Sequence, residues 1–288
     1  MNESKVGCQI LNYNDSENVI RQIDRIKKFN IFEFIVVVDN DSTDNSYDLL
    51  QKMYKNDERV YILRTKMNGG YGFGQNFGLK YIYKNLKVKY ILIVNPDVQF
   101  DANCLKKQLR VAEEKNAAIV SSTQRINHKR VNAPAWKIPN IREWIFSETR
   151  LRKKFNTFHY TNDHFVPKVS KVECVRGAMF LVDISKFMSV GGYDTNMFLY
   201  GEETLIGFKM KKGGYSTYIL NDEYYDHRVA SSINKNVSEL EQCKALHHSK
   251  LIFFRDYLKA NPFKILIAST IFKMIELKVR VITRRKLK

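Results

Sequence analysis

The run Ile91-Leu92-Ile93-Val94 ends on Asn95-Pro96-Asp97, with Val98 behind it. Four to eight apolar residues closed by a turn signal read as a buried strand. Pro96 has no backbone donor and a fixed φ, so pairing stops there and Asp97 projects from the C-terminal end of the strand. Ligands of open α/β sheets bind at that end. An acid in that place either forms a turn or handles metal and phosphate. Comparable groups stand at other joints of the 288-residue chain: Asp39 after the apolar run 34–38, the pair Glu202-Glu203 at the start of a helical stretch, and His227 after the last strand. Ordinary roles compete for each. Asp39 can close an Asx turn, as can Asp41, Ser42 and Asp44. Acids in a first helical turn are common partners of the helix dipole.

Four of the 13 glycines fall within 69–74. The dinucleotide fingerprint requires G-x-G-x-x-G directly after the first strand. Here Gly72 and Gly74 are followed at the third position by Phe77, after the third strand, so that reading fails. The glycines imply a close backbone approach or a tight turn. Cys8, Cys104, Cys174 and Cys243 show no metal-ligand spacing and read as buried thiols in a reducing compartment.

The elements that must position these groups alternate. A strand over 5–11 precedes a helix over 17–29, and a strand over 34–38 precedes a helix over 45–55. A strand over 60–63, a helix ending near Leu86 and a strand over 90–94 follow, then a helix over 101–115 and a strand over 118–121. Apolar strands joined through helices by short loops argue for a parallel sheet covered on both faces. Residues 124–171 lose this rhythm and hold three of the five prolines and both tryptophans, with one amphipathic helix expected over 140–155. Strand 172–182, helix 183–189, helix 203–212 and strand 215–220 restore it. Two helices, 239–260 and 263–284, broken at Asn261-Pro262, make a C-terminal tail. The expected organisation is a body over 1–238, composed of 1–123, 124–171 and 172–238, and a tail over 239–288.

The formal net charge of +18 is uneven. Residues 125–171 hold 11 Lys/Arg against 3 Asp/Glu and residues 244–288 hold 12 against 2, which together account for the whole excess. A balanced body with two basic stretches points to an anionic surface partner, nucleic acid or anionic lipid. On a helical wheel Ile267, Ile271, Phe272, Met274, Ile275, Val279, Val281 and Ile282 form one broad apolar face. Ser269, Lys273, Glu276, Arg280 and Arg284 lie opposite, as suits an interfacial helix. Packing on the body is the alternative. No run of 18 apolar residues and no signal peptide are read in the chain.

Six stretches in this order resemble the inverting glycosyltransferases of family 2, with the nucleotide-sugar GT-A fold, above all the rhamnosyltransferase-like bacterial members that build surface polysaccharides. They are NYN at 12–14, VVVDNDSTDNS at 36–46, NGGYGFGQNFG at 68–78, ILIVNPDV at 91–98, VECVRGAMFLV at 172–182 and GGYDTNMFLYGEETLIGFKMKKGGY at 191–215. The resemblance spans about 5–232. It implies a mixed, mainly parallel α/β sheet flanked by helices, and a donor that is a nucleoside-diphosphate sugar. By the same resemblance Asn12 and Tyr13 line the base pocket, Asp39 reads base or ribose, and Asn68, Gly70 and Asn76 shape the loop near the nucleotide. Asp97 becomes the metal ligand for Mg²⁺ or Mn²⁺, although Asn95 replaces the first acid of the usual Asp-x-Asp and can instead contact ribose. His227 matches a histidine that completes the metal site, and Arg176 stands near the sugar or diphosphate, with an ion pair to Glu173 as its alternative. The family's Glu-Asp base motif reads Glu202-Glu203, which makes Glu203 the base and Glu202 an acceptor-orienting residue, or the reverse.

The acceptor implied is a glycan, carried on a lipid diphosphate, met at the inner face of the cell membrane by a peripheral cytoplasmic enzyme, with a homodimer also open. Two other classes compete. A soluble nucleotidyltransferase of related fold needs a glycine-rich loop after the first strand, where Asn12-Tyr13-Asn14-Asp15 stands instead. A nucleic-acid-binding protein is suggested by charge alone and lacks a recognisable motif.

Overall fold

The computed structural model describes residues 5–155, 157–227 and 238–286, with side chains as far as residue 283. The part of the 5–232 resemblance beyond residue 227, and the side chain of Arg284, lie outside the described residues.

In chain order the first half is β1 (Val6–Asn12), α1 (Ser16–Ile26), β2 (Phe32–Asp39), α2 (Ser46–Tyr54), β3 (Val60–Arg64), α3 (Tyr71–Asn85) and β4 (Tyr90–Val94). These strands pair in parallel as β3-β2-β1-β4. Then come β5 (Val98–Gln99), α4 (Ala102–Glu114), β6 (Ile119–Ile126), β7 (Lys129–Arg130), β8 (Ala135–Trp136), α5 (Ile141–Phe146) and α6 (Arg152–Phe155). They are followed by β9 (Val169–Val172), β10 (Cys174–Val175), β11 (Met179–Asp183), α7 (Ile184–Ser189), α8 (Glu202–Lys212), β12 (Thr217–His227), α9 (Glu239–Ile252) and α10 (Pro262–Lys286). The main sheet continues from β4 through β11, β6 and β12 to β5. Because β11 is antiparallel to both β4 and β6, the sheet is mixed, as expected.

The two faces of the sheet follow the strand period of two. Tyr90, Leu92 and Val94 of β4 join Val19, Ile23, Leu50, Leu105 and Leu109 in one apolar layer, under α1, α2 and α4. Ile91 and Ile93 join Leu79, Ile82, Phe187, Ile206 and Met210 in the other, under α3, α7 and α8. Every residue of β4 is buried, so its register is fixed from both sides and Asp97 is delivered to one place.

Three expectations change. The helix expected over 140–155 is two short ones. Asn140 and Glu143 make a reciprocal cap that starts α5, and the Ser147 and Thr149 hydroxyls bond back to the carbonyls of Trp144 and Phe146, ending it. The strand expected over 172–182 is interrupted at 176–178, where the chain turns past Glu203. The strand expected to stop at Leu220 continues, after a register shift between Leu220 and Tyr224, as far as His227.

The two basic stretches share a third apolar core. Trp144 and Ile145 of α5 pack with Leu205 of α8, Ile252, Phe253 and Phe254 at the end of α9, and Ala268 and Phe272 of α10. Full burial of one such side chain contributes roughly 1.5–3 kcal/mol, enough in sum to seat α9 and α10 on the body. Beside this core His247 presents Nδ1 to Glu276 at 2.7 Å and Nε2 to Glu148 at 3.2 Å, while the buried Lys250 amine bonds Glu148 and, at 3.0 Å, the Trp144 carbonyl. The Cys243 sulfur sits 3.8 Å from each ring nitrogen. This cluster is a salt-bridged joint between α5, α9 and α10. Among the described residues no helix is long and apolar enough to cross a membrane.

Candidate active site

The C-terminal ends of β1 and β2 carry Asn12 and Asp39 side by side. Asn12 Nδ2 donates to Asp39 Oδ2 at 2.7 Å and to Ser42 Oγ at 3.2 Å. The Ser42 amide donates to Asp39 Oδ1 at 2.9 Å and its hydroxyl to Oδ2 at 2.7 Å. Asp39 is fully buried. Its carboxylate also shapes the turn, with Asp41 in the left-handed region at φ 60°. It holds Asn12 and the 39–44 loop in shape. Asn12 is likewise buried, and its Oδ1 accepts from the Asp15 amide. Tyr13, next in line, is half-buried at the mouth.

The loop after β3 turns on Gly70, whose φ of 92° favours glycine, and a Cβ there would lie 2.2 Å from the Phe198 carbonyl oxygen. Asn68 Oδ1 accepts from Asn40 Nδ2 at 2.9 Å and from the Gly70 amide at 3.1 Å. Asn76 ties this loop to a distant segment: its Nδ2 donates to the Tyr193 carbonyl at 2.9 Å and its Oδ1 accepts from the Tyr193 amide at 3.0 Å. Its amide is a clamp. The glycines of the loop and of α3 bring protein against protein. A Cβ at Gly74 would meet Leu11, and one at Gly78 would meet Gln9 and Val38. The loop and α3 thereby fix 193–198, the segment that leads into Glu202 and Glu203.

Asp97 and His227 meet because β5 pairs antiparallel with β12, putting His227 opposite Val98. His227 Nε2 lies 3.2 Å from Asp97 Oδ1, and both side chains are largely buried. Gln124 Nε2 stands 3.2 Å from the other ring nitrogen, and Gln124 Oε1 accepts from the Tyr225 hydroxyl at 3.3 Å. The Asn95 amide donates to the Ala178 carbonyl at 2.9 Å, tying the end of β4 to the 176–178 turn.

That turn faces α8. Gly177 packs on Glu203, where a Cβ would come within 2.9 Å of Oε1. Tyr71 OH donates to the Gly177 carbonyl at 3.2 Å. Arg176 donates twice to the Ala133 carbonyl, at 3.1 and 2.9 Å, so its expected alternative, an ion pair with Glu173, is not made; Glu173 bonds Lys211 instead. Trp136 Nε1 donates to Thr204 Oγ1 at 3.1 Å, so the 124–171 segment braces the start of α8. Gly201, at φ 87°, turns the chain into that helix.

The two glutamates differ in surroundings. Glu202 is buried, and its Oε1 has no hydrogen-bond partner among the described residues. Burial, and then the charge of Glu203, pushes it up to about 8. Burial raises Glu203 as well, but the amide at its own position, the Arg176 guanidinium and the Gly177 amide pull against that rise. Of the two, Glu202 is the one with no opposing charge beside it, so a proton shared by the pair is held preferentially there. A stability consequence follows from the sign. The folded-state pKa of Glu202 lies above its ordinary 4.5, so its contribution to stability is complete below that value and is lost as pH rises through about 8. Glu202→Gln removes this dependence. The thermal midpoint of the parent chain is expected to fall relative to that of Glu202→Gln between about pH 5 and pH 9, and parallel curves in a pH series of melts would contradict it.

Sequence reading missed Gln124, Tyr225, Tyr71 and Trp136. Tyr71 lies inside the glycine-rich stretch 68–78 without being singled out there, the others sit in no distinctive local pattern, and each matters only through a partner far along the chain.

Residues 9–186 match the family described as Glycosyl transferase family 2. The N-acetylglucosaminyl-diphospho-decaprenol L-rhamnosyltransferase of Mycobacterium tuberculosis (strain CDC 1551 / Oshkosh) is 26% identical over 235 residues, 77% of this chain and 74% of that protein. The low-salt glycan biosynthesis hexosyltransferase Agl10 of Haloferax volcanii is 23% identical over 203 residues, 70% of this chain and 60% of that protein. Among solved structures, GalNAc-T7 with UDP, GalNAc and Mn²⁺ superposes with a TM-score of 0.64 at 13% identity, over 90% of this chain and 49% of that one. The shared fold is of the GT-A kind.

Proposed function

The chain belongs to glycosyl transferase family 2 and is a glycosyltransferase, and from that premise we propose that it moves a sugar from a nucleoside diphosphate to a glycan carried on a lipid diphosphate, with inversion at the anomeric carbon. The observation that carries this reading is the joint at 176–178. It holds Glu203 by its Gly177 backbone and Arg176 charge, and it holds Asn95 by the Ala178 carbonyl, two residues from Asp97. A base and a diphosphate site are thereby locked together. The rhamnosyltransferase relative, whose name specifies a diphospho-decaprenol acceptor, supports the lipid-linked class of acceptor.

A divalent ion, Mg²⁺ or Mn²⁺, fits the residues present. Two ligands of an octahedral ion at about 2.1 Å lie roughly 3 Å apart when adjacent, and Asp97 Oδ1 and His227 Nε2 are 3.2 Å apart. One carboxylate and one imidazole leave the remaining positions to oxygens of the donor diphosphate and water. Bound there, the ion would neutralise charge on the departing diphosphate. Gln124 sets the ring orientation of His227 from behind. Asn12 and Tyr13 border the nucleoside end. Glu203 accepts the proton of the acceptor hydroxyl while that oxygen bonds the anomeric carbon and the carbon's bond to the diphosphate breaks. The Arg176 charge opposes part of the rise that burial imposes on Glu203 and so favours its ionised, proton-accepting form.

The test is a panel of nucleoside-diphosphate sugars in thermal-shift and hydrolysis assays with Mn²⁺, Mg²⁺ or chelator. At least one donor is expected to raise the melting midpoint and to be hydrolysed slowly, both only with metal. Nucleoside triphosphate consumption with pyrophosphate release, and no response to any nucleotide sugar, would instead favour a nucleotidyltransferase.

A further inference from the structure

The expected single apolar face of the tail is in fact two. The inner face of α10 buries Ala268 and Phe272 in the core shared with α5, with Ile265, Ile271 and Ile275 at its margin, and turns Glu276 to His247. On the opposite side Phe263, Leu266, Ile267, Met274, Leu277 and Val281 are exposed. With Thr270 they follow a three-and-four spacing along a helix of 25 residues, a continuous stripe about 27 Å long. Half of the large exposed hydrophobics among the described residues lie on this one helix.

Charge decides what covers the stripe. At 100° per residue Lys273 and Arg280 flank it on one side and Lys264 and Lys278 on the other, all exposed. The helix's one acid, Glu276, is turned inward. A second copy of the helix would set these cations against each other with no acid to pair them, the reverse of the flanking pattern that specifies a coiled coil. An anionic bilayer satisfies both parts, burying the apolar stripe while lipid headgroups meet the cations. The other basic stretch adjoins the same helix. Glu148, bonded to His247 and Lys250, precedes the exposed Arg150, Leu151, Arg152, Lys153 and Lys154, and Phe155 of that segment stacks on Phe146 of α5 at 4.7 Å.

We infer that the outer stripe of α10, with the cations of α10 and α6 beside it, docks the enzyme on an anionic lipid surface in the plane of the membrane. The inference rests on the proposed lipid-linked acceptor for its purpose and on the stripe for its evidence.

The full chain is sedimented with vesicles of phosphatidylcholine containing phosphatidylglycerol, and with phosphatidylcholine alone. Binding is expected with the anionic vesicles, weakened by salt. Met274→Glu/Leu277→Glu and, separately, Lys273→Glu/Lys278→Glu are each expected to weaken it by at least about ten-fold. Melting midpoints and the response to nucleotide sugars should be unchanged, which separates failure of docking from failure of the enzymatic reading. Sedimentation of both variants like the parent overturns the inference. So does a parent that ignores anionic vesicles, or one that forms a dimer dissociated by Met274→Glu/Leu277→Glu, which would give the stripe to a second copy.

Discussion

Glu203→Gln is expected to lower the turnover number for sugar transfer by about 10³-fold, within the range general-base catalysis commonly supplies. The amide keeps the length and shape of the side chain, so the packing of Gly177 against it survives. What it loses is the ability to accept a proton from the acceptor hydroxyl. Glu202 is a poor substitute. It is buried behind the start of α8, and burial is the largest cause of its rise to about 8, a cause that remains after Glu203 is neutralised. Steady-state kinetics at saturating donor and acceptor read the effect. The loss should fall on kcat, the donor KM should stay within a few-fold, and the melting midpoint should not drop. Parent-like turnover in Glu203→Gln together with a dead Glu202→Gln would move the base to Glu202.

The part of this site that was legible in the sequence is the part built from continuous local pattern. The apolar run 90–94 had to be a buried strand, and Pro96 had to stop it, so Asp97 had to project. Helix α8 was equally plain, from acids at its start and Gly213-Gly214 at its end. Asp39 shows where such reading stops short. A carboxylate after a strand is compatible with a ligand contact and with an Asx turn, and the Ser42 and Asn12 donors that show the turn come from two different segments. The last strand is expected to end at Leu220, with His227 beyond it, whereas Asn221, Asp222 and Glu223 lie within a longer strand. They form an irregularity inside β12, after which Tyr224, Tyr225 and Asp226 resume pairing with β6. A bulge of that kind is stabilised by its neighbours and leaves little trace in hydropathy.

The tail fails for a different reason. A wheel reports that α10 has abundant apolar surface, and it cannot say that one half faces Trp144 and Phe254 while the other half faces outward. That division depends on Lys250, His247 and Glu148, a buried charged joint contributed by elements about a hundred residues apart. Nothing local predicts that a lysine in α9 is buried, because the cost of desolvating it is offset only by the distant partner.

Asp97→Ala is expected to abolish metal-dependent binding of the donor as well as transfer. Asp97 is the sole carboxylate at the end of β4, since the preceding position of the usual pair is Asn95, and no second acid among the described residues stands against His227 Nε2. With one charged ligand removed, the site keeps an imidazole and a neutral amide, a set poorly matched to an oxygen-seeking ion. Loss of several kcal/mol of charge stabilisation on the departing diphosphate corresponds to about 10²–10⁴ in rate. The fold should tolerate the change. β5 is held to β12 through the backbone pairing of Val98 with His227, and Asn95 remains tied to Ala178. The measurement is a Mn²⁺ titration followed by the thermal shift with the donor identified in the panel. The parent chain should show stabilisation that saturates with metal, and Asp97→Ala should show none at the same concentrations while melting near the parent's metal-free midpoint. A variant that keeps the full metal-dependent shift would remove Asp97 from the metal site, and the Asp97–His227 contact would then stand as a strand-end hydrogen bond with no part in donor binding.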